Sequence, residues 1–383
     1  MDIKLVLYTF ILAGFFSVLV QAQVPFDCMV VDSACNSPAK PYGKAIGDIN
    51  GDGQPDLLIS SASADGMHWY QYPGWKKYAI RITGSWSEDC QIADIDNDGD
   101  KDVVNGNKQG LCWYENPLNG SGSLEDGHWI EHLIGSDGTN IHDLEVADLN
   151  GDGKPDVAIR YEKENQQPVY IFLQINPQEW MAVTTTNITH RKGEGLALGD
   201  LDGDADNDMA IGEIWLENMG DGTAWKEHVY AEHMPEQMII KIADVNHDGE
   251  PDIIAAPQSS QAGKFAWYEA DKDICHSWTE HAIRSNISRM HGLSMGDFNN
   301  DGYMDIHTSI RHDNPGDQDN VSIWLSNGES EPAFTEQVLA KTGSHFSKID
   351  DIDQDGDVDI FGANWSGPDD HHADILLWRN EKR

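Results

Sequence analysis

The sequence predicts an all-β fold, a seven-bladed β-propeller with four strands per blade, and three observations predict it. A nine-residue pattern, Asp-x-(Asp/Asn)-x-Asp-(Gly/Ala)-x-x-Asp, begins at Asp48, Asp94, Asp148, Asp200, Asp244, Asp297 and Asp351. Its starts lie 44 to 54 residues apart, a period that holds four short strands. Each copy also sits between apolar or alternating runs and is followed by an aromatic run, so every period repeats the same order of elements.

The elements follow in that order. Upstream of the loop lies a short alternating run such as Leu196, Ala197, Leu198, Gly199, and downstream an apolar one such as Asp252, Ile253, Ile254, Ala255. The third strand is the aromatic run, centred on Trp69, Trp113, Ile171, Trp215, Trp267, Trp324 and Trp378. A fourth usually follows, beginning at Trp129, Trp225 or Trp278 and carrying a Glu-His pair (Glu131/His132, Glu227/His228, Glu280/His281). These tryptophans and histidines read as blade packing. The seventh period ends soon after Trp378, before a fourth strand, while residues 26–31 imitate residues 334–339. The N-terminal strand is therefore expected to complete blade seven, removing the open edges of a linear array.

Oxygen side chains at positions 1, 3, 5 and 9 meet at one point only if the chain curls tightly, and glycine at position 6 permits the positive φ that such a curl needs. The expected ligands are Asp48, Asn50, Asp52 and Asp56 in the first copy and Asp94, Asp96, Asp98 and Asp102 in the second. The third offers Asp148, Asn150, Asp152 and Asp156, and the fourth Asp200, Asp202, Asp204 and Asp208. The fifth has Asp244, Asn246, Asp248 and Asp252, the sixth Asp297, Asn299, Asp301 and Asp305, and the seventh Asp351, Asp353, Asp355 and Asp359. Hard oxygen donors in this number suit Ca²⁺, with up to seven structural ions. An EF-hand would need Glu at position 12, where this chain has Ile59, Asn105, Ile159, Ile211, Ala255, Thr308 and Gly362. The fourth copy, with Ala205 at position 6, is the loop most in question.

The loops resemble the FG-GAP or VCBS type of repeat found in calcium-binding β-propellers, and the resemblance covers roughly residue 42 to the C-terminus. The repeat is functionally broad. Chains similar to this one include propeller lyases of uronic-acid polysaccharides, of the rhamnogalacturonan and ulvan types, and the propeller part of aldos-2-ulose dehydratase. The resemblance implies a carbon–oxygen lyase without assigning any catalytic residue.

The formal charge of −41 belongs largely to the loops, whose four ligand positions hold 24 acids. Seven Ca²⁺ would bring it to about −27, still acidic, which argues against nucleic acid or anionic membrane as a partner. Residues 1–22 read as a secretory signal, with Lys4 before an apolar stretch and small residues ahead of a cleavage point, and an uncleaved membrane anchor is the alternative. Residues 23–383 then form one domain, expected to be a secreted, periplasmic or cell-surface monomer without a membrane span. Five cysteines fit an oxidising compartment, with Cys28–Cys35 and Cys90–Cys112 as the available pairings and Cys275 left over.

The loop joins the first strand of a blade to the second, so all seven loops share one face. Six residues upstream, at about 3.3 Å per residue, the chain is about 20 Å away near the opposite end of the axis. There stand Tyr42, Glu88, His142, Glu194, Met238, His291 and His345. The second strand returns to that face and brings Arg160, Tyr161, Arg311, His312, Asn364 and Trp365, with His190, Lys192 and Arg289 nearby. A local cationic pocket for an anionic or hydroxylated glycan is expected from this set. The base of a β-elimination is placed at His142 or His291, Tyr161 or a second histidine such as His345 is the acid, and Arg160 and Arg311 face the developing negative charge. Tyr42, Glu88, His190, Arg289, His312, Asn364 and Trp365 would bind substrate. A non-catalytic lectin or integrin-like adhesion module is the competing reading. Hydrolysis through Glu88, Asp89 and Glu194 and an additional metal on the three histidines stand behind it.

Overall fold

The computed structural model describes residues 23–33, 40–120, 122–125, 127–136, 138, 140–161, 168–185, 194–270, 274–275, 278–311, 319–364 and 373–382. They form seven four-stranded antiparallel sheets. The first strands are Pro41–Gly47, Trp86–Ala93, Ile141–Ala147, Ala197–Gly199, Met238–Ala243, Met290–Gly296 and Lys348–Asp350, and those of successive blades pack side by side around the axis. In the last sheet Phe26–Asp32 pairs with Ile375–Asn380, Phe26 opposite Asn380 and Cys28 opposite Trp378. The ring closes as the sequence leads one to expect. Among the described residues no helix is long and apolar enough to cross a membrane.

The core lies between blades. The third-strand tryptophans Trp69, Trp113, Trp215, Trp267 and Trp378 are almost wholly buried. In three blades the indole carries a stacked imidazole: His132 lies 4.2 Å from Trp113, His228 4.4 Å from Trp215 and His281 4.0 Å from Trp267. Each of these histidines meets a third-strand glutamate, at 2.6 Å for Glu115 and Glu217 and 2.7 Å for Glu269. The Glu-His pairs are packing devices.

The acidic loops share one backbone path. Residues at positions 4 and 6 have positive φ in all seven copies, and the position-6 N–H donates to the position-1 carboxylate, from Gly53 to Asp48 at 2.9 Å through Gly356 to Asp351 at 3.0 Å. Position 9 is a clamp. Its buried carboxylate accepts the position-2 N–H of its own loop, as in Asp208 with Leu201 at 2.9 Å. In six copies it also accepts an N–H at the end of the third strand, as from Asn218 at 2.8 Å. The Asn218 amide reaches on to the Leu149 carbonyl of the preceding blade at 2.8 Å, and Asn116, Gln174 and Asn380 repeat this latch. Loop and ring are thus built from the same residues.

Ala205 keeps the shared path. Its φ is 76° and its N–H donates to Asp200 at 3.0 Å, as the glycines do elsewhere. A Cβ in that left-handed region costs about 1–2 kcal/mol, and a Cβ built on the matching Gly53, Gly153 or Gly249 would meet nothing within 4 Å. The penalty is conformational rather than steric crowding. Ala205→Gly is expected to raise unfolding stability by about 1 kcal/mol, measured by denaturant titration; an unchanged midpoint would refute it.

The cysteines depart from expectation. Cys90 and Cys112 are free thiols, buried in the cluster between blades one and two. Burial pushes both up to about 12, so they behave as small apolar groups. Cys28 is also a free, exposed thiol, the Cys275 sulfur lies 3.9 Å from His228 Nε2, and Cys35 lies outside the described residues.

Candidate functional site

Six to eight residues of extended chain carry each of the longer first strands from one face of the ring to the other, so the acidic loops and the histidines occupy opposite ends of the channel. At the histidine end a cavity of about 240 Å³ is lined by Glu88, His142, Glu194, Gln237, Gln258, Ser259, Ser260, His291 and Arg311. Five of the nine belong to the expected ring or rim.

The three histidines come together around a residue that sequence reasoning missed. The Phe346 ring lies 5.3 Å from His142, 6.0 Å from His291 and 4.6 Å from His345, edge-on to each. His345 stacks on His291 at 5.0 Å on one side and packs against Tyr42 at 5.0 Å on the other. The turn is held from below by Lys44, fully buried, which donates to the carbonyls of Pro41 at 2.6 Å, Tyr42 at 3.2 Å and His345 at 2.6 Å. Burial brings the Lys44 ammonium down to about 7.

The histidines differ sharply in charge. His142 Nε2 lies 3.3 Å from Glu194 and 3.7 Å from Glu88, and its Nδ1 lies 3.3 Å from Asp143. Burial disfavours its cationic form, but Asp143, Glu194 and Glu88 outweigh that and lift it to about 10. At neutral pH it is an imidazolium with no lone pair to accept a proton. His291 is the reverse: burial first, then the positive field of Arg311, holds it well below the usual imidazole value. Its Nδ1–H donates to the Arg289 carbonyl at 3.1 Å, which leaves Nε2 as the acceptor. Burial also keeps His345 neutral, and neither of its ring nitrogens has a hydrogen-bond partner.

Several expected site residues stand elsewhere. Arg160 is fully buried and donates to the Gly195 carbonyl at 2.8 Å. Its charge faces Asp143 and Glu194 from behind the cavity, so it is a strut between blades three and four rather than a rim cation. Tyr161 is buried in an apolar cluster against Tyr170, 5.1 Å away, and is not brought to the cavity. Arg289 lines a separate cleft with Arg284, Asn320 and Glu336. Asn364 donates to the Thr342 carbonyl at 2.9 Å, and Met238 lies in the core. His190, Lys192, His312 and Trp365 lie outside the described residues. The cavity is also not cationic: Glu88 and Glu194 balance His142 and Arg311. That charge balance arises because Glu88, His142, Glu194 and Arg311 converge from blades two, three, four and six, which no single stretch of sequence displays.

Asp94, Asp96 and Asp102, Asp200, Asp202 and Asp208, and Asp351, Asp353 and Asp355 each bring ligand oxygens within 4.8 Å of one another. Buried oxygens of Asp94, Asp351 and Asp353 lack any hydrogen-bond donor. An oxygen-seeking cation fits these loops. The three channel histidines form no such converging group among the described residues, so an extra metal there has no support.

The fold and its loops define the class: a seven-bladed propeller built on acidic-loop repeats. A family profile described as an FG-GAP-like repeat matches residues 48–104, 94–159 and 244–308, and FG-GAP repeats are often calcium-binding. No curated protein matches the chain by sequence. Among solved structures it is similar to an Agrocybe aegerita lectin described as recognising non-reducing terminal N-acetylglucosamine, with 14% identity, TM-score 0.53, and 79% of this chain and 81% of that one covered. It is similar to the V. cholerae biofilm matrix protein Bap1, with 9% identity, TM-score 0.54, and coverage of 94% and 92%. It is also similar to the rhamnogalacturonan lyase YesW, with 10% identity, TM-score 0.50, and coverage of 95% and 77%. At these identities the likeness is one of fold.

Proposed function

We propose that this propeller is a secreted, calcium-stabilised, carbohydrate-active protein that eliminates across a carbon–oxygen bond of a sugar held in the channel-mouth cavity. One observation carries the reading: a single cavity brings together His142, ringed by the carboxylates of Glu194, Asp143 and Glu88, and His291, which has none of these around it and shares the cavity with Arg311. Pairs of titratable groups whose surroundings push them apart are the signature of an acid and a base. His291 Nε2 takes the proton beside a carboxylate or carbonyl, a carbon–carbon double bond forms, and the carbon–oxygen bond at the next carbon breaks. The departing oxygen keeps the electron pair and receives a proton from His142, while Arg311 faces the charge that develops on the enolate.

The cavity suits a sugar. Its lining is almost wholly polar, and the Gln258 side chain, buried to 1% exposure, has no partner for its oxygen or its nitrogen. About 240 Å³ is below the volume usual for a drug-sized ligand, which fits one sugar unit. Calcium in the acidic loops is part of the same reading, since the millimolar ion outside cells fills weak oxygen sites. Residues 1–22, the proposed signal, lie outside the described residues.

A lectin is the second reading, favoured by the same unpartnered amide and by the balanced charge of the cavity. Incubation with uronic-acid poly- and oligosaccharides separates the two, followed by the ultraviolet absorbance of newly unsaturated ends. A growing signal is expected. Binding of a glycan without product from any of them would establish the lectin instead.

A further inference from the structure

A second compartment adjoins the cavity. It measures about 280 Å³ and is lined by residues that include Tyr42, Trp86, Glu88, Asn107, Lys108 and Asn140. Glu88 lines both spaces. The wall between them is thin: Glu88 Oε2 lies 3.7 Å from His345 Nε2 on one side and 3.7 Å from His142 Nε2 on the other. His345 in turn packs against Tyr42 of the outer compartment and stacks on His291 of the inner one.

The two differ in access. His142, Glu194, Gln258 and His291 of the inner space are buried, whereas Lys108 and Asn140 of the outer one are exposed. Their linings also differ in kind. The inner one is polar on all sides, and the outer one joins aromatic rings, Tyr42 and Trp86, to a single exposed ammonium, Lys108. An aromatic face beside polar groups suits the apolar face of a sugar ring, and Lys108 adds a charge that favours an acidic one.

We infer that the site recognises the end of a glycan chain, with the terminal sugar enclosed in the inner cavity and the next one lying on Tyr42 beside Lys108. This rests on the sugar reading above and extends it from substrate class to mode of action. Glu88, at the boundary, is placed to accept hydrogen bonds from sugar hydroxyls that flank the linkage between the two units.

The test presents galacturonate, glucuronate and N-acetylglucosamine, each as monomer, dimer and polymer, to the calcium-loaded protein, with binding measured by calorimetry. For the sugar that binds, the dimer is expected to bind about tenfold more tightly than the monomer, the worth of about one good charge-assisted hydrogen bond. Polymer binding should track the number of chain ends rather than the mass of sugar. Lys108→Ala, at an exposed position, should abolish the dimer's advantage and leave monomer affinity unchanged. Equal affinity for monomer and dimer, or polymer binding that follows mass when ends are multiplied by partial cleavage, overturns the two-compartment inference while leaving the sugar reading standing. Binding of none of the nine sinks the sugar reading itself.

Discussion

Stripping calcium is expected to lower the thermal midpoint more than any single substitution, and to do so more strongly at about pH 8 than at about pH 6. A site at ten times its dissociation constant contributes about 1.4 kcal/mol, and seven such sites about 10 kcal/mol, comparable with the whole stability of an ordinary domain. The pH dependence follows from the position-9 carboxylates. Without an ion, burial raises Asp56, Asp208, Asp252, Asp305 and Asp359 to about 7, Asp102 to about 8 and Asp156 to about 6, against backbone donors that pull the other way. A carboxyl raised in the folded state stabilises it fully below its unfolded value near 4 and loses that contribution as pH rises through the folded value. The ion-free ring is therefore weakest in mildly alkaline solution. The ion binds the deprotonated form, so its uptake releases protons and tightens with pH. Calorimetric melts of chelated and reloaded protein at both pH values measure this. A midpoint indifferent to chelation would remove calcium from the account, and a larger drop at the lower pH would refute the role given to these carboxylates.

How much of this was readable in advance depends on whether a feature is periodic. Blade number, strand order and ring closure follow from a pattern repeated seven times, so local ambiguity in any one copy is outvoted by the rest. The imitation of residues 334–339 by residues 26–31 is the same kind of signal and gave the closing strand. The site is different because it breaks the repeat. Counting back from each loop placed Glu88, His142, Glu194 and His291 at one end of the channel, since rise per residue is nearly constant along a strand. Counting says nothing of whether a side chain faces the channel or the neighbouring blade. Arg160 and Tyr161 belong to a second strand buried along its whole length, and there an arginine becomes a strut and a tyrosine becomes core. Phe346, Gln237 and Lys44 were invisible for the opposite reason: each is ordinary in sequence and acquires its place only when blades seven, five and one meet. Phe346 and Gln237 left only a trace, as the residues directly after His345 and directly before Met238.

Replacing His291 by Asn is expected to cut turnover by roughly 10² to 10⁴-fold, the usual contribution of a positioned base, with little change in thermal midpoint. Asparagine keeps an amide N–H for the Arg289 carbonyl and removes the lone pair at Nε2. The acid partner is tested more sharply through its neighbour than by its own deletion, because removing His142 would leave Asp143, Glu194 and Glu88 facing one another in a buried space. With its value lifted to about 10, His142 stays a proton donor across the neutral range, and activity should fall only as pH rises through that value. Its ion pairs stabilise the fold below the unfolded value near 6.5, and that stability too is lost as pH rises through about 10. Glu194→Gln keeps the side-chain shape and an oxygen for Gln237 while removing one of the charges that hold the imidazolium. The alkaline limb of kcat/KM should then move down by about one to three pH units, and turnover near neutrality should change much less. A residue that only packed the cavity would alter the amplitude and leave the limb where it was. An unmoved limb in Glu194→Gln would take the acid's role from His142, and full activity in His291→Asn would leave the elimination without its base.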